Sequence, residues 1–313
     1  MSSWPRVSII VANWNGARHL EDCLPSVVGQ AYPCFEVIVV DNGSTDESQQ
    51  VVRQIGARWV PIGHNAGLAA ALNAGAQVAS GEFLLFLNND LRLRGDFVRN
   101  QTRPLVEDPT VFATDALQWD WEGRVKVHGR TRVIARSAWR GCFDLVQDSP
   151  TTCAPAYMAS AANAMIRRWM FEKLGGWDSA YFMGWEDVDL FWRAWQRGWR
   201  TVFVPDAVCW HKLGASTATP AGAGISLRGT LEGRLYFASK CLPASRAFAM
   251  WVKTCGGLLR DIGTGRWHMA RGKGAALRKA VLSLSAAFRA RRELYSTGPG
   301  PLAHLRILAR LAE

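Results

Sequence analysis

Three short apolar runs early in the chain each end in small polar side chains: Ala12-Asn13-Trp14-Asn15, Val40-Asp41-Asn42-Gly43-Ser44 and Leu87-Asn88-Asn89-Asp90. An apolar strand that delivers the Asp90 carboxylate to a rim puts it where a hard divalent cation can sit. Mg²⁺ or Mn²⁺ bridging a diphosphate needs only one or two protein carboxylates, because phosphate oxygens and water complete the shell. Further along, Glu186-Asp187-Val188-Asp189 packs three carboxylates into four positions, among Phe182, Trp185, Phe191 and Trp192. Aromatic neighbours suit sugar faces and can also raise a carboxyl pKa by desolvation. Trp210-His211 ends another short run, although a lone histidine is more often packed or exposed than a metal ligand. Each cluster also has a plain structural reading. Asp41-Asn42-Gly43-Ser44 suits a turn and a helix cap, Asn13 and Asn15 suit turns, acidic residues favour a helix N-terminus, and aromatics fill cores.

The elements that must position these residues alternate in type. Val7–Ala12, Val37–Val40 and Phe83–Leu87 read as strands buried on both faces. Between them, Leu20, Leu24 and Val27 recur at helical spacing, Ser44 and Asp46 can cap a helix over Glu47–Ile55, and Ala66–Val78 is rich in Ala and Leu. This β-α-β-α-β order predicts a parallel, doubly wound sheet over about residues 1–115. In such a sheet ligands bind beyond the carboxyl ends of the strands, where the three polar clusters fall. The middle reads less clearly: Val125–Val127 and Arg132–Ile134 suggest a hairpin around His128-Gly129-Arg130. Ala159–Ile166 reads as a strand, Asp187–Gln196 as a helix, Thr201–Val204 and Ala207–Trp210 as two short strands, and Gly214–Gly224 as a mobile loop. From Ser226 the pattern is helical, with breaks expected at Pro243, Gly256-Gly257, Gly263–Gly265 and Ser296–Pro301.

Composition sets the wider bounds. The chain has 313 residues, 49% hydrophobic, which is enough for a full core and excludes a disordered protein. Residues 1–225 carry 21 Lys/Arg against 22 Asp/Glu, whereas residues 226–313 carry 16 against 4. The basic excess therefore sits in the last quarter and suggests an anionic partner there. The seven cysteines are scattered without a CxxC pair, so neither a disulfide framework nor a zinc knuckle is expected. The N-terminus lacks a secretory pattern and no apolar run approaches the roughly 20 residues of a membrane span, so a cytoplasmic protein is expected. Segments around Phe248, Trp251 and Leu258-Leu259, with Arg246, Lys253 and Arg260 nearby, suit the interface of an anionic membrane, the bland reading being a solvated basic face.

The polar clusters in this order resemble family 2 glycosyltransferases of the GT-A fold, in particular the bacterial rhamnosyltransferase-like branch. The resemblance runs from about Val7 to His211 and rests on Val7–Asn15, Val39–Asp46, Asn65-Ala66-Gly67 with Asn73-Ala74-Gly75, Leu87–Asp90, Gly175–Asp178, Trp185–Asp189 and Trp210-His211. It implies a Rossmann-like, mostly parallel α/β sheet, with residues 1–225 as catalytic domain (about 1–115 the nucleotide half, 116–225 the acceptor half) and 226–313 as a helical basic extension. It implies that Asp41 bonds the pyrimidine base, and that Ala12, Asn13, Asn15, Asn65, Asn73, Asn88 and Asn89 line the nucleotide-sugar site. Asp90 and His211 would hold Mg²⁺ or Mn²⁺, Asp187 would be the base with Glu186 beside it, and Trp177 and Trp185 would meet the acceptor. Asn88 stands where the family usually has the first Asp of Asp-x-Asp, which leaves the metal more dependent on Asp90 and His211. Tyr236–Lys240 sits where relatives often carry an Arg-Asn pair, so neither Arg234 nor Lys240 is assigned to the diphosphate.

The resulting expectation is an inverting transferase that takes a sugar from deoxythymidine diphosphate rhamnose or a UDP-sugar. Its acceptor would be a cell-surface glycan or a polyprenyl-linked hydroxyl, reached from the inner face of the membrane. A nucleotidyltransferase acting on sugar phosphates is the rival enzyme, but Asn13–Arg18 lacks the Gly-rich basic loop that such enzymes carry after the first strand. A nucleic-acid-binding module has only the basic tail in its favour, and nucleic acid is not expected as a partner.

Overall fold

The computed structural model describes residues 4–134, 144–212 and 220–296, together with 300, 301 and 303. The chain divides into two compact units, one formed by Met1–Thr131, Gln147–Ala180 and Gly198–Ala215, the other by Arg132–Val146, Tyr181–Arg197 and Ser216–Glu313.

The first unit is built on a mixed, mostly parallel sheet. Strands β1 (Val7–Asn13), β2 (Phe35–Asp41), β3 (Arg58–Pro61) and β4 (Phe83–Asn88) run parallel in the order β4-β1-β2-β3. Helices α1 (Ala17–Val28), α2 (Ser48–Ile55) and α3 (Leu68–Val78) connect them. Helix α1 buries Leu20, Cys23, Leu24 and Val27, the stripe that a period of 3.6 predicts, against a core containing Ile9, Val11 and Val39. Strand β5 (Leu91–Leu93) and helix α4 (Phe97–Glu107) follow, then β6 (Val111–Asp120) and β7 (Lys126–His128). A separate two-stranded sheet pairs β8 (Arg130–Ile134) with β9 (Asp144–Asp148). Further on come β10 (Ala154–Ala156), β11 (Met165–Arg167), helix α5 (Arg168–Lys173) and β12 (Arg200–His211). β11 lies antiparallel between β4 and β6, and β12 runs parallel to β6.

Helices fill the second unit: α6 (Glu186–Gln196), α7 (Pro220–Cys241), α8 (Ala244–Gly263), α9 (Trp267–Leu282) and α10 (Leu284–Leu294). Trp192, Leu235, Phe237, Cys241, Leu242 and Met250 are buried there. Tyr295 accepts a hydrogen bond from Trp192 Nε1 at 3.1 Å and donates to Cys241 O at 2.5 Å, which fastens the end of α10 to α6 and α7.

Several expectations are corrected. The hairpin around His128-Gly129-Arg130 does not form, because β7 pairs with β6 and β8 pairs with β9. Only Met165 and Ile166 of the strand expected over Ala159–Ile166 lie in the sheet, as part of β11, and Ser160–Asn163 is a turn closed by Asn163 N–H to Ser160 O at 2.9 Å. The two strands expected over Thr201–Val204 and Ala207–Trp210 are one, with a register shift at Val204/Val208 where Pro205 has no N–H to give. Helix α7 begins at Pro220, inside the stretch expected to be a loop, and the part of that loop over 214–219 lies outside the described residues. Gly256-Gly257 does not break α8, and Lys273 donates to Gly257 O at 3.3 Å and pairs with Asp261 at 2.5 Å.

Candidate active site

The parallel register places the polar strand ends side by side: Asn13 lies opposite Asp41, and Ala12 opposite Asn88. Their side chains form one network. Asn13 Nδ2 reaches Ser44 Oγ at 3.2 Å and Asp41 Oδ1 at 3.4 Å, while Asn13 Oδ1 accepts from Asn89 Nδ2 at 2.7 Å. Gly16 leaves room for this network, since a Cβ would lie 2.0 Å from Asn89 Nδ2 and 2.6 Å from Asn13 Oδ1 and both side chains would have to shift. Asn15 adopts φ 48° and closes the loop, its Oδ1 accepting from Thr45 N–H at 2.8 Å. Asn65 joins through Asn42, whose Nδ2 donates to Asn65 Oδ1 at 3.0 Å.

Asp41 is buried and does what the plain reading of its turn requires. Its carboxylate accepts from Ser44 N–H at 3.0 Å, from Ser44 Oγ, and from Asn13. A carboxylate has about four lone-pair sites, so one acceptor position remains for a ligand. Asn73 stands apart from this rim. Its amide grips the Trp177 backbone, donating to Trp177 O at 2.7 Å and accepting from Trp177 N–H at 3.0 Å. Trp177 itself is a correction: only 1% exposed and packed edge-on against Phe86 with ring centroids 5.2 Å apart, it belongs to the core and has no free face for an acceptor.

Asp90 lies in the turn between β4 and β5, and β5 pairs antiparallel with β12 so that His211 sits opposite Leu91. This pairing brings His211 Nε2 to 3.1 Å from Asp90 Oδ1. The contact is close but lies off hydrogen-bonding geometry, and Asp90 Oδ1 is buried without any donor. A buried carboxylate oxygen left in this way is costly unless something positive sits against it. The pair therefore fits a divalent cation. Among the described residues no third His, Cys, Asp or Glu joins them, which matches an ion whose remaining ligands are diphosphate oxygens and water. Nearby, burial pushes the Cys23 thiol up to about 12, so it stays protonated beside Asp90.

The second unit presents Glu186 and Asp187 at the first turn of α6, after two consecutive left-handed residues, Gly184 at φ 76° and Trp185 at φ 75°. Trp185 and Asn15 are the non-glycine residues with positive φ among those described, and a bulky side chain there is strained. The turn is held from α7, where a Cβ on Gly233 would lie 2.6 Å from Gly184 O. Trp185 is half-buried, tilted over Phe237 at 5.4 Å. Asp187 is half-exposed, with Oδ1 accepting from Val188 N–H at 2.8 Å. Glu186 is buried, its Oε2 accepts no hydrogen bond, and its carboxyl is pushed up to about 8 by burial first and by the neighbouring Asp187 charge second. Asp189 takes a third role. Burial alone would raise its carboxyl, but Lys240 and Arg193, each 2.7 Å away, outweigh that and hold it below the ordinary value. Tyr181 OH also donates to it at 3.2 Å. Lys240 is thus committed to Asp189. The sequence reading missed Gly233 and this ion cluster; the signal was a lysine in an otherwise apolar helix segment.

A family model for glycosyl transferase family 2 matches residues 8–175, and the chain belongs to that family. It is 24% identical over 208 residues to the poly-beta-1,6-N-acetyl-D-glucosamine synthase of Staphylococcus aureus (strain COL), covering 65% of this chain and 49% of the relative. A shorter match, 32% over 119 residues, links it to the putative teichuronic acid biosynthesis glycosyltransferase TuaG of Bacillus subtilis (strain 168), covering 36% of this chain and 47% of that protein. The chain thus spans about half the length of these relatives. Among solved structures, GalNAc-T7 with UDP, GalNAc and Mn²⁺ shares the fold at TM-score 0.62 and 18% identity over 79% of this chain and 50% of that one. The mannosyltransferase PcManGT of Pyrobaculum calidifontis, in complex with GDP-Man and Mn²⁺, shares it at TM-score 0.57 and 22% identity over 99% and 80%. The chain has the GT-A fold of these structures.

Proposed function

We propose that the chain is a glycosyltransferase that inverts the anomeric centre as it moves a sugar from a nucleoside diphosphate donor to a hydroxyl of a cell-surface glycan or its lipid-linked precursor. The observation that carries the reading is the buried, undonated Asp90 oxygen facing His211 beside the Asn13–Asp41–Asn89 rim. Asp90 and His211 would hold a divalent cation, which when bound would supply positive charge against the departing diphosphate. Asp41 and the Ala12–Asn15 segment receive the nucleotide, and Asn88 and Asn89 border the sugar.

Asp187 accepts the proton of the acceptor hydroxyl as that oxygen bonds the anomeric carbon and the bond to the diphosphate oxygen breaks. One base and one in-line displacement give inversion. Glu186 keeps its proton at neutral pH, so Asp187 carries its negative charge without a second one beside it. Trp185, the strained residue before the base, offers an aromatic edge to the acceptor.

Deoxythymidine diphosphate rhamnose is the first donor to try and UDP-sugars the second, on the motif likeness. The cell-surface acceptor draws support from the names of the two bacterial relatives. No helix among the described residues is long and apolar enough to cross a membrane. Helix α8 instead exposes Phe248, Val252, Leu259 and Ile262 in one stripe, with Lys253 and Arg260 exposed beside it, which supports contact with an anionic membrane surface from one side. The test of the reaction is product stereochemistry. With Mn²⁺ and an active donor, the new glycosidic bond read by NMR is inverted relative to the donor, and both EDTA and Asp90→Ala abolish its formation. A retained configuration, or activity that survives both treatments, contradicts the proposal.

A further inference from the structure

We propose that Gln118 is a positioning residue that holds His211 in its Nδ1–H tautomer and so turns the Nε2 lone pair toward Asp90 and the cation. The inference rests on the metal role proposed for that pair, and the direction of a buried hydrogen-bond chain carries it. The chain starts at Asp115 on β6, whose carboxylate is fully buried and can only accept. His128 Nε2 lies 2.9 and 3.1 Å from its two oxygens, and Ser160 N–H donates at 3.3 Å.

Asn163, also fully buried, must therefore turn its amide nitrogen to Asp115, at 3.3 Å from Oδ1 and 3.2 Å from Ser160 O. Its oxygen is left to accept from Gln118 Nε2 at 3.0 Å. With that nitrogen committed, the Gln118 oxygen is what faces His211 Nδ1, at 3.0 Å. An oxygen accepts, so Nδ1 carries the proton and Nε2 is bare. Nε2 then meets the undonated Asp90 Oδ1 at 3.1 Å. Two lone pairs turned toward each other repel in an empty site and are what two ligands of one cation require. Reversing the chain would set the Asn163 oxygen against the Asp115 carboxylate. Every link lies in the first unit.

The test reads the tautomer directly, without donor or acceptor. Metal-free protein labelled with ¹⁵N-histidine is recorded by long-range ¹H–¹⁵N correlation at a pH where the ring is neutral, and His211→Gln assigns the signal. The expected result is Nδ1–H in the wild type and in Gln118→Glu, which keeps an acceptor toward the ring. In Gln118→Met the preference is lost and affinity for Mn²⁺ alone, by paramagnetic-resonance titration, falls by about 10–100-fold. A wild-type His211 protonated at Nε2 overturns the proposal, as does an Nδ1–H form that survives Gln118→Met. If the Met variant does not fold, the wild-type and Glu spectra decide. A wild type with Nδ1–H that binds Mn²⁺ but transfers no sugar would leave this inference standing and sink the wider function.

Discussion

Glu186 and Asp187 are adjacent in sequence yet differ in the one property that matters for proton transfer. Glu186 is buried with a carboxyl pushed up to about 8, whereas Asp187 is half-exposed. A raised carboxyl means that the folded state holds a proton which the unfolded chain has released. The contribution of Glu186 to stability is therefore full below about pH 4.5, falls as pH rises toward 8 and is flat above it. Glu186→Gln removes this loss, so the melting temperature of the variant should gain on that of the wild type between pH 5 and 8; a gap independent of pH would show that Glu186 is not held protonated. At this scale the sequence already separated Asp90 and Asp187 from the background, because a carboxylate at a strand end or a helix start is visible in the order of residue types, whereas His211 was singled out only through the family resemblance. It could not show that Trp177 is core or that Asn73 grips a backbone, since both depend on partners about a hundred residues away. Gln118 was silent for the same reason.

Among the elements, the β-α-β-α-β half was legible because buried parallel strands are nearly pure apolar runs and α1 keeps its stripe. The region from β7 to β11 was not. Its strands are three to five residues long, too short to show a period, and β10 and β11 pair with β12, β4 and β6 rather than with their neighbours in sequence. Helix α6 was read correctly, but the device that aims it was not. Asp189 bonds Lys240 of α7 and Arg193 of its own helix, and Gly233 admits the Gly184–Trp185 turn. Lys240→Met removes one cation from a fully buried carboxylate and should cost about 3–5 kcal/mol in denaturant unfolding; a loss under 1 kcal/mol would mean that Arg193 alone suffices. Gly233→Val should leave the fold standing yet lower turnover, because it must displace the strained turn before Asp187. Wild-type activity in that variant would detach the turn from catalysis.

For the molecule as a whole, charge and apolar exposure both concentrate in the C-terminal helices. The basic block was evident from composition, while the exposed stripe needed the structure, because sequence alone does not say that α8 buries the face carrying Met250 and Asp261 and leaves Phe248, Val252, Leu259 and Ile262 exposed. Flotation with phosphatidylglycerol vesicles should carry the protein at low salt, and Phe248→Ser with Leu259→Ser should abolish it. Equal flotation of this variant, or equal binding to phosphatidylcholine, would remove the membrane from the account. The central claim, that Asp187 is the base of a sugar transfer, is tested most directly by separating donor binding from turnover. Wild type and Asp187→Asn are titrated with dTDP-, UDP- and GDP-sugars in the presence of Mn²⁺, and nucleoside diphosphate release from the donor that binds is then measured for both. The account predicts equal donor affinity and release slowed by about 10²–10⁴-fold in Asp187→Asn. Release at the wild-type rate would contradict it.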